Sequence, residues 1–98
     1  MTIKKSNEQS LGEAIKELIE AYKIGSKLNE AKMIGSWGKI VGPMIAKHTV
    51  RVNVNKRILY VELDSAALRS ELTYAREKIR KMLNKEAGEE LIDGIVFK

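Results

Sequence analysis

The side chains of this chain that could do chemistry are mostly cationic. Lys56 and Arg57 stand between two short aliphatic segments, Lys47 and Arg51 lie just before them, and Arg69, Arg76, Arg80 and Lys81 follow along a long helical pattern. Spacings of seven and four residues put Arg69, Arg76 and Arg80 on one helix face, with Thr73 between them and Lys85 near the C-terminal end. Guanidinium and ammonium groups arrayed in this way hold phosphate by charge and by charge-assisted hydrogen bonds. The same residues also suit a solvated face. Glu71, Glu77 and Glu86 dilute the helix, and lysine near a helix C-terminus is favoured by the backbone dipole alone. Residue types and spacing therefore leave phosphate binding and plain solvation both open, with Tyr60 beside Asn53 as a candidate stacking platform.

Other chemistries have little to work with. His48 is the only histidine, there is no cysteine, and no acids cluster at metal-ligand spacing, so no catalytic, metal or cofactor site is expected and the chain does not read as an enzyme. A histidine at a helix-to-strand junction reads as a local hydrogen-bonding group. Trp37 lies on an apolar helical stripe and reads as a core anchor rather than a base-stacking ring. Gly35-Ser36-Trp37-Gly38 has the spacing of the GxxG loop with which KH domains clamp a nucleic-acid backbone. Such a loop wants small or basic residues at its tip, and here it would push an indole into solvent. The other reading is that Gly35 and Gly38 let a helix pack closely on a neighbour, at some cost in helix propensity.

The frame that must position these groups is small. Ninety-eight residues, 44% hydrophobic and 32% charged, make one domain with one modest core. The net charge of +5 and a pI near 9.5 favour acidic partners, nucleic acid foremost. The first ten residues are polar and read as a flexible arm, residues 11–98 form the folded unit, and no run approaches the ~20 apolar residues of a membrane span. A cytoplasmic protein is expected, with nucleoid association compatible.

Periodicity supplies the elements. Ser10 and Glu13 form a capping box for a helix over about 11–23, with Leu11, Ala14, Ile15, Leu18, Ile19 and Tyr22 on one stripe and Gly25-Ser26 as its stop. Asn29 then caps a second helix, with Leu28 and Met33 as its staple, running through Trp37 and Val41 to a kink at Gly42-Pro43. Val50, Val52 and Val54, then Leu59, Val61 and Leu63, alternate as two strands. A hairpin turning at Lys56-Arg57 pairs Val54 with Leu59, Val52 with Val61, Val50 with Leu63, and Arg51 with Glu62. Asp64 or Ser65 caps a third helix over 66–86, Gly88 stops it, and 92–97 is a third strand reached by a right-handed crossover and hence parallel. The order α-α-β-β-α-β predicts an α+β two-layer sandwich, a three-stranded mixed sheet roofed by the apolar stripes of the helices.

The run Trp37-Gly38-Lys39-Ile40-Val41-Gly42, then Ala46, His48 and Thr49, Leu59-Tyr60-Val61 with Ser65 and Ala67, Glu71-Leu72, Leu83-Asn84, Gly88 and Ile95-Val96-Phe97, resembles the DciA family. The resemblance spans nearly the whole chain, and Trp-x-x-Ile-Val-Gly and His-Thr are its most telling parts. It implies a KH-like fold, DNA binding, and assistance in loading the replicative DNA helicase of bacteria that lack the better-known loaders. Most matched positions are structural: Trp37, Val41, Leu72 and Leu83 as core, Gly42 as the kink, Asn84 and Gly88 as the exit from the third helix. Many members carry a basic C-terminal extension implicated in DNA or helicase contact. The sequence stops at Lys98, and Lys4 and Lys5 are expected to substitute for part of that tail.

The function expected is that of a non-catalytic accessory domain that binds DNA through phosphates without reading sequence and assists the helicase, with Lys47, Arg51, Lys56, Arg57, Arg69, Arg76, Arg80 and Lys81 as its contacts. The alternative is an interaction module that docks on a replication protein, its basic surface serving solubility or steering. Neither reading involves a membrane or a small-molecule substrate.

Overall fold

The structure is a computed structural model that describes residues 10–98; Lys4, Lys5 and the rest of the arm up to residue 9 lie outside the described residues. The elements are α1 (Leu11–Gly35), α2 (Trp37–Val41), α3 (Pro43–Lys47), β1 (Thr49–Asn55), β2 (Ile58–Leu63), α4 (Ala66–Tyr74), α5 (Arg76–Ala87) and β3 (Gly94–Phe97). They build the expected α+β arrangement, helices over a three-stranded mixed sheet of order β1-β2-β3.

Alternation of aliphatic and polar residues makes β1 and β2 a hairpin in the register read from the sequence, with Val54 opposite Leu59, Val52 opposite Val61 and Arg51 opposite Glu62. Val50 departs from it. Thr49 takes the place opposite Leu63, the register shifts between Thr49 and Arg51, and Val50 is exposed. The cause is tertiary: the Thr49 hydroxyl donates to the Ile45 carbonyl at 2.8 Å and accepts from the Trp37 indole at 3.0 Å, so Thr49 turns inward and a bulge absorbs the extra residue. The two-residue turn holds Lys56 at φ 49° and Arg57 at φ 66°, the left-handed pair that the twist of a tight hairpin requires.

β3 runs parallel to β2, with Ile95 beside Leu59 and Phe97 beside Val61. It cannot follow β2 by a tight turn, and α4 and α5 supply the crossover. Ser65 caps α4 by accepting from the Leu68 amide, and Gly88, at φ 85°, ends α5 in the left-handed conformation that glycine adopts freely. Residues 88–93 then return to the sheet around one buried polar side chain. Asn84 accepts from the amides of Leu91 (2.9 Å) and Ile92 (3.1 Å) and donates to the Ile92 carbonyl (3.0 Å). Met33, Leu59, Val61, Leu83 and Ile92 are the largest fully buried side chains, and Trp37, Leu72 and Ile79 pack around them.

The helices depart from expectation in two places. No stop forms at Gly25-Ser26: α1 continues to Gly35. A glycine within a helix costs only about 1 kcal/mol relative to alanine. Termination needs a left-handed cap, and Gly25 does not adopt positive φ. Asn29 caps nothing and instead donates to the Glu89 carboxylate, while Leu28 is exposed and makes no staple with buried Met33. The expected second helix is thus divided: its start belongs to α1, a break falls at Ser36, and α2 ends at Gly42 (φ 94°), after which Pro43 opens α3. The expected long third helix is likewise broken, at Ala75, into α4 and α5.

In consequence the first half of α1 does not roof the sheet. Leu11, Ile15, Leu18, Ile19 and Tyr22 are exposed, and the molecule extends 61 × 20 × 20 Å. Its radius of gyration of 18.1 Å compares with about 13 Å for a compact chain of this length. The roof is made by α5, α4, α2 and the Met33 end of α1.

Asn84 is the residue on which this arrangement can be tested. Asn84→Ala leaves two buried amides and a carbonyl without partners, and the unfolding free energy should fall by about 2–4 kcal/mol in urea titration. A loss under about 0.5 kcal/mol would mean that the crossover loop is held by its apolar contacts alone.

Candidate nucleic-acid interface

The eight cations singled out in the sequence divide by what they touch. Arg57 is the most engaged: its Nε and Nη2 reach the two carboxylate oxygens of Asp93 at 2.9 Å each, Nη2 also donates to the Glu90 carbonyl at 2.8 Å, and its own carbonyl accepts from the Asp93 amide. The planar fork pins the hairpin turn to the loop before β3 and holds Arg57 in its left-handed backbone conformation. Arg80 forks onto Glu77 one turn back, with Nη2 to Oε1 at 2.9 Å, and reaches Glu90 at 3.4 Å; its side chain is only 16% exposed. Arg69 donates to the Leu63 carbonyl at the end of β2. Arg51 pairs with Glu62 across the hairpin at 3.2 Å.

Lys47, Lys56, Arg76 and Lys81 are exposed and form no ion pair among the described residues. Lys47 ends α3, Lys56 sits in the hairpin turn, and Arg76 and Lys81 lie on α5. The spacing that gave Arg69 one face with Arg76 and Arg80 presupposes an uninterrupted helix, and the break at Ala75 removes that presupposition. Arg57 and Arg80 are brought together, through Glu90 and Asp93, but as parts of an internal ionic network.

One basic stripe goes beyond the sequence expectation, which includes Lys81 and Lys85 but not Lys78. Ile79, Leu83 and Ala87 turn one side of α5 into the core, so Lys78, Lys81 and Lys85, spaced three and four residues apart, share the opposite side in solvent. None of the three holds an acid among the described residues. Helical spacing carries the stripe once Ile79, Leu83 and Ala87 are known to face the core.

The remaining candidates are structural. Trp37 is buried, bonded to Thr49 and tilted against Phe97 with ring centres 6.3 Å apart, so Gly35 to Gly38 form no exposed loop. A Cβ on Gly38 would meet the Ala46 Cβ at 3.4 Å, a close helix approach, whereas Gly35 faces open space. His48 Nδ1 lies 2.8 Å from Asp64 Oδ1, a local junction contact. Tyr60 lies on the polar side of the sheet with the Lys98 ammonium 5.6 Å above its ring. Among the described residues no group of acids, histidines or cysteines could hold a metal ion, and no helix is long and apolar enough to cross a membrane.

Comparison with known proteins agrees with the residue pattern. A family model described as "Dna[CI] antecedent, DciA" matches residues 10–97. No curated protein matches the chain.

The ionic network has a pH signature. The Arg57 fork holds the Asp93 carboxyl below the usual carboxylate range, and the Arg80 fork, with smaller help from Lys81 and Arg76, does the same for Glu77. A carboxylate with a depressed folded-state pKa contributes stability that is present above its unfolded pKa of about 4 and lost as pH falls through the folded value. The raised pKa values of Arg57 and Arg80 add no pH dependence below about 12, since both states are charged there. Thermal melts from pH 7 downward should show a steep acid limb in the native chain and a flatter one in a Glu77→Gln/Asp93→Asn variant. Equal slopes would show that the forks form no more tightly in the folded state than in the unfolded chain.

Proposed function

The chain belongs to the DciA family, and from that premise we propose that it is a non-catalytic accessory protein of DNA replication that binds DNA through phosphate contacts while assisting the replicative helicase. The family is one of helicase loaders rather than of enzymes, which supports the loading role and the helicase as partner. Residues 11–98 are the unit that acts. DNA binding is supported by the exposed lysine stripe of α5, the single observation that carries it.

A cation already forked onto a carboxylate must break that contact to reach a phosphate. A cation in water loses only solvent and counterions. Lys78, Lys81 and Lys85 are therefore the principal contacts proposed, with Arg76, Lys56 and Lys47 next. Arg51, Arg57, Arg69 and Arg80 belong to the proposed surface only as secondary contacts, since each already holds a protein oxygen. Seven residues of helix advance about 10 Å, room for two or three phosphates of one strand. Ammonium groups on flexible stems make point contacts without a fixed hydrogen-bond fork, which suits binding that ignores base sequence.

About four neutralised phosphates give a slope of log affinity against log salt near −2.8 for single strands and near −3.6 for duplex. Binding to both should be measured by fluorescence anisotropy across a salt series. Lys78→Glu/Lys81→Glu/Lys85→Glu should lower affinity roughly tenfold or more at low salt and flatten the slope, with the circular dichroism spectrum unchanged. A folded triple variant with native affinity would move the contacts off α5, and a native chain that binds no DNA at low salt would leave docking on a replication protein as its role.

A further inference from the structure

The first half of α1 presents an apolar surface that nothing in the described chain covers. Leu11, Leu18 and Leu28 are 65%, 70% and 67% exposed, on the same stripe as Ala14, Ala21 and Gly25 and flanked by exposed Ile15 and Tyr22. Spacings of three and four residues over 11–28 are those of a helix seam, about 27 Å long. The side chains expose on the order of 600 Å² of apolar surface, at the upper end for the largest patch on a monomer.

We infer that this seam pairs two copies of the chain, α1 against α1, antiparallel. Three features favour a second copy. The first is charge. Residues 11–20 carry three acids (Glu13, Glu17, Glu20) and one lysine (Lys16), net −2, and residues 21–32 carry three lysines (Lys23, Lys27, Lys32) and one acid (Glu30), net +2. An antiparallel pair lays each acidic half along a basic half, whereas a parallel pair stacks like on like.

The second is shape. One antiparallel register sets Leu11 against Leu28 of the second copy, Ala14 against its Gly25 and Leu18 against its Ala21, and two-fold symmetry repeats all three contacts. The small pairs let the helices approach, and Leu18 fills the space above Ala21. A parallel pair would set Gly25 on Gly25 and leave a gap. The third is area: about 600 Å² a side, with flanking residues added, approaches the ~800 Å² of a standard interface. The polar side of α1 over 11–28 balances Glu13, Glu17 and Glu20 against Lys16, Lys23 and Lys27. It offers no net attraction to an anionic membrane or a nucleic acid. The body meets α1 from Asn29, whose side chain donates to Glu89, so the pairing runs along the exposed length that precedes this contact.

Sedimentation equilibrium of the full 98-residue chain should show twice the 11.0 kDa mass as concentration rises to about 500 µM. Leu18→Lys, at a position that touches no core residue, should return the chain to a monomer with unchanged circular dichroism of the body. Since the chain has no cysteine, introduced thiols report orientation: L18C should crosslink to A21C and L11C to L28C, while neither L11C nor L28C should crosslink to itself. A native chain monomeric throughout, an L18K variant still dimeric, self-crosslinking of L28C, or capture of the native chain on phosphatidylcholine vesicles in place of self-association would each overturn the proposal.

Discussion

The structure turns on how its third strand is delivered. A parallel partner for β2 must arrive through a crossover, and the crossover must end in a loop that brings backbone back to the sheet edge without stranding its polar groups. Two side chains accomplish this from opposite sides of residues 88–93. Asn84 works from within, holding the amides of Leu91 and Ile92 and the carbonyl of Ile92 where water cannot reach. Arg57 works from without, forking onto Asp93 from a turn that belongs to the other strand pair. Between them the hairpin, the end of α5 and the start of β3 become one unit, and Ile95 and Phe97 reach the apolar face prepared by Leu59 and Val61.

That same device decides which cations are available. A turn made from Lys56-Arg57 without glycine places two L-residues at positive φ, and the Arg57 fork is the contact that holds it. Arg80 is drawn into the same corner by Glu77 and Glu90. The strongest hydrogen-bonding groups on the surface therefore serve the crossover, while Lys78, Lys81 and Lys85 hold no acid in an ion pair among the described residues. Counting basic residues in the sequence overstates the surface, because the Glu90 carbonyl and the Asp93 carboxylate that engage Arg57 lie 33 and 36 residues away. The Glu77–Arg80 pair, by contrast, is an i,i+3 contact that spacing alone could have shown.

What the sequence made legible was whatever obeys a local rule. The capping box at Ser10, the cap at Ser65, the left-handed glycine at Gly88, the restart at Gly42-Pro43, the hairpin register and the parallel third strand all follow from neighbouring residues or from the geometry of crossovers. The departures have causes outside their own segments. Val50 bulges because Thr49 is bonded to Trp37 and Ile45. The glycines around Trp37 look like a loop tip because their spacing is that of one, but burial of an indole contributes far more than an exposed turn could offset. Gly25 looks like a stop by composition, yet composition does not record φ.

The exposed half of α1 is a different kind of departure. Amphipathic spacing records that a face is buried, and it does not record against what. The sheet's apolar side is already closed by Leu68, Leu72, Ile79, Leu83, Trp37 and Met33, all buried. The stripe from Leu11 to Leu28 is thus no lid that failed to close: it has no vacant core to enter. A water-facing helix under no such constraint would keep its large aliphatic side chains few and scattered. Leucine at 11, 18 and 28 with alanine or glycine at 14, 21 and 25 is a pattern of size as well as polarity, and size matters only where another surface comes into van der Waals contact. The burial that this pattern encodes is therefore completed outside the single chain.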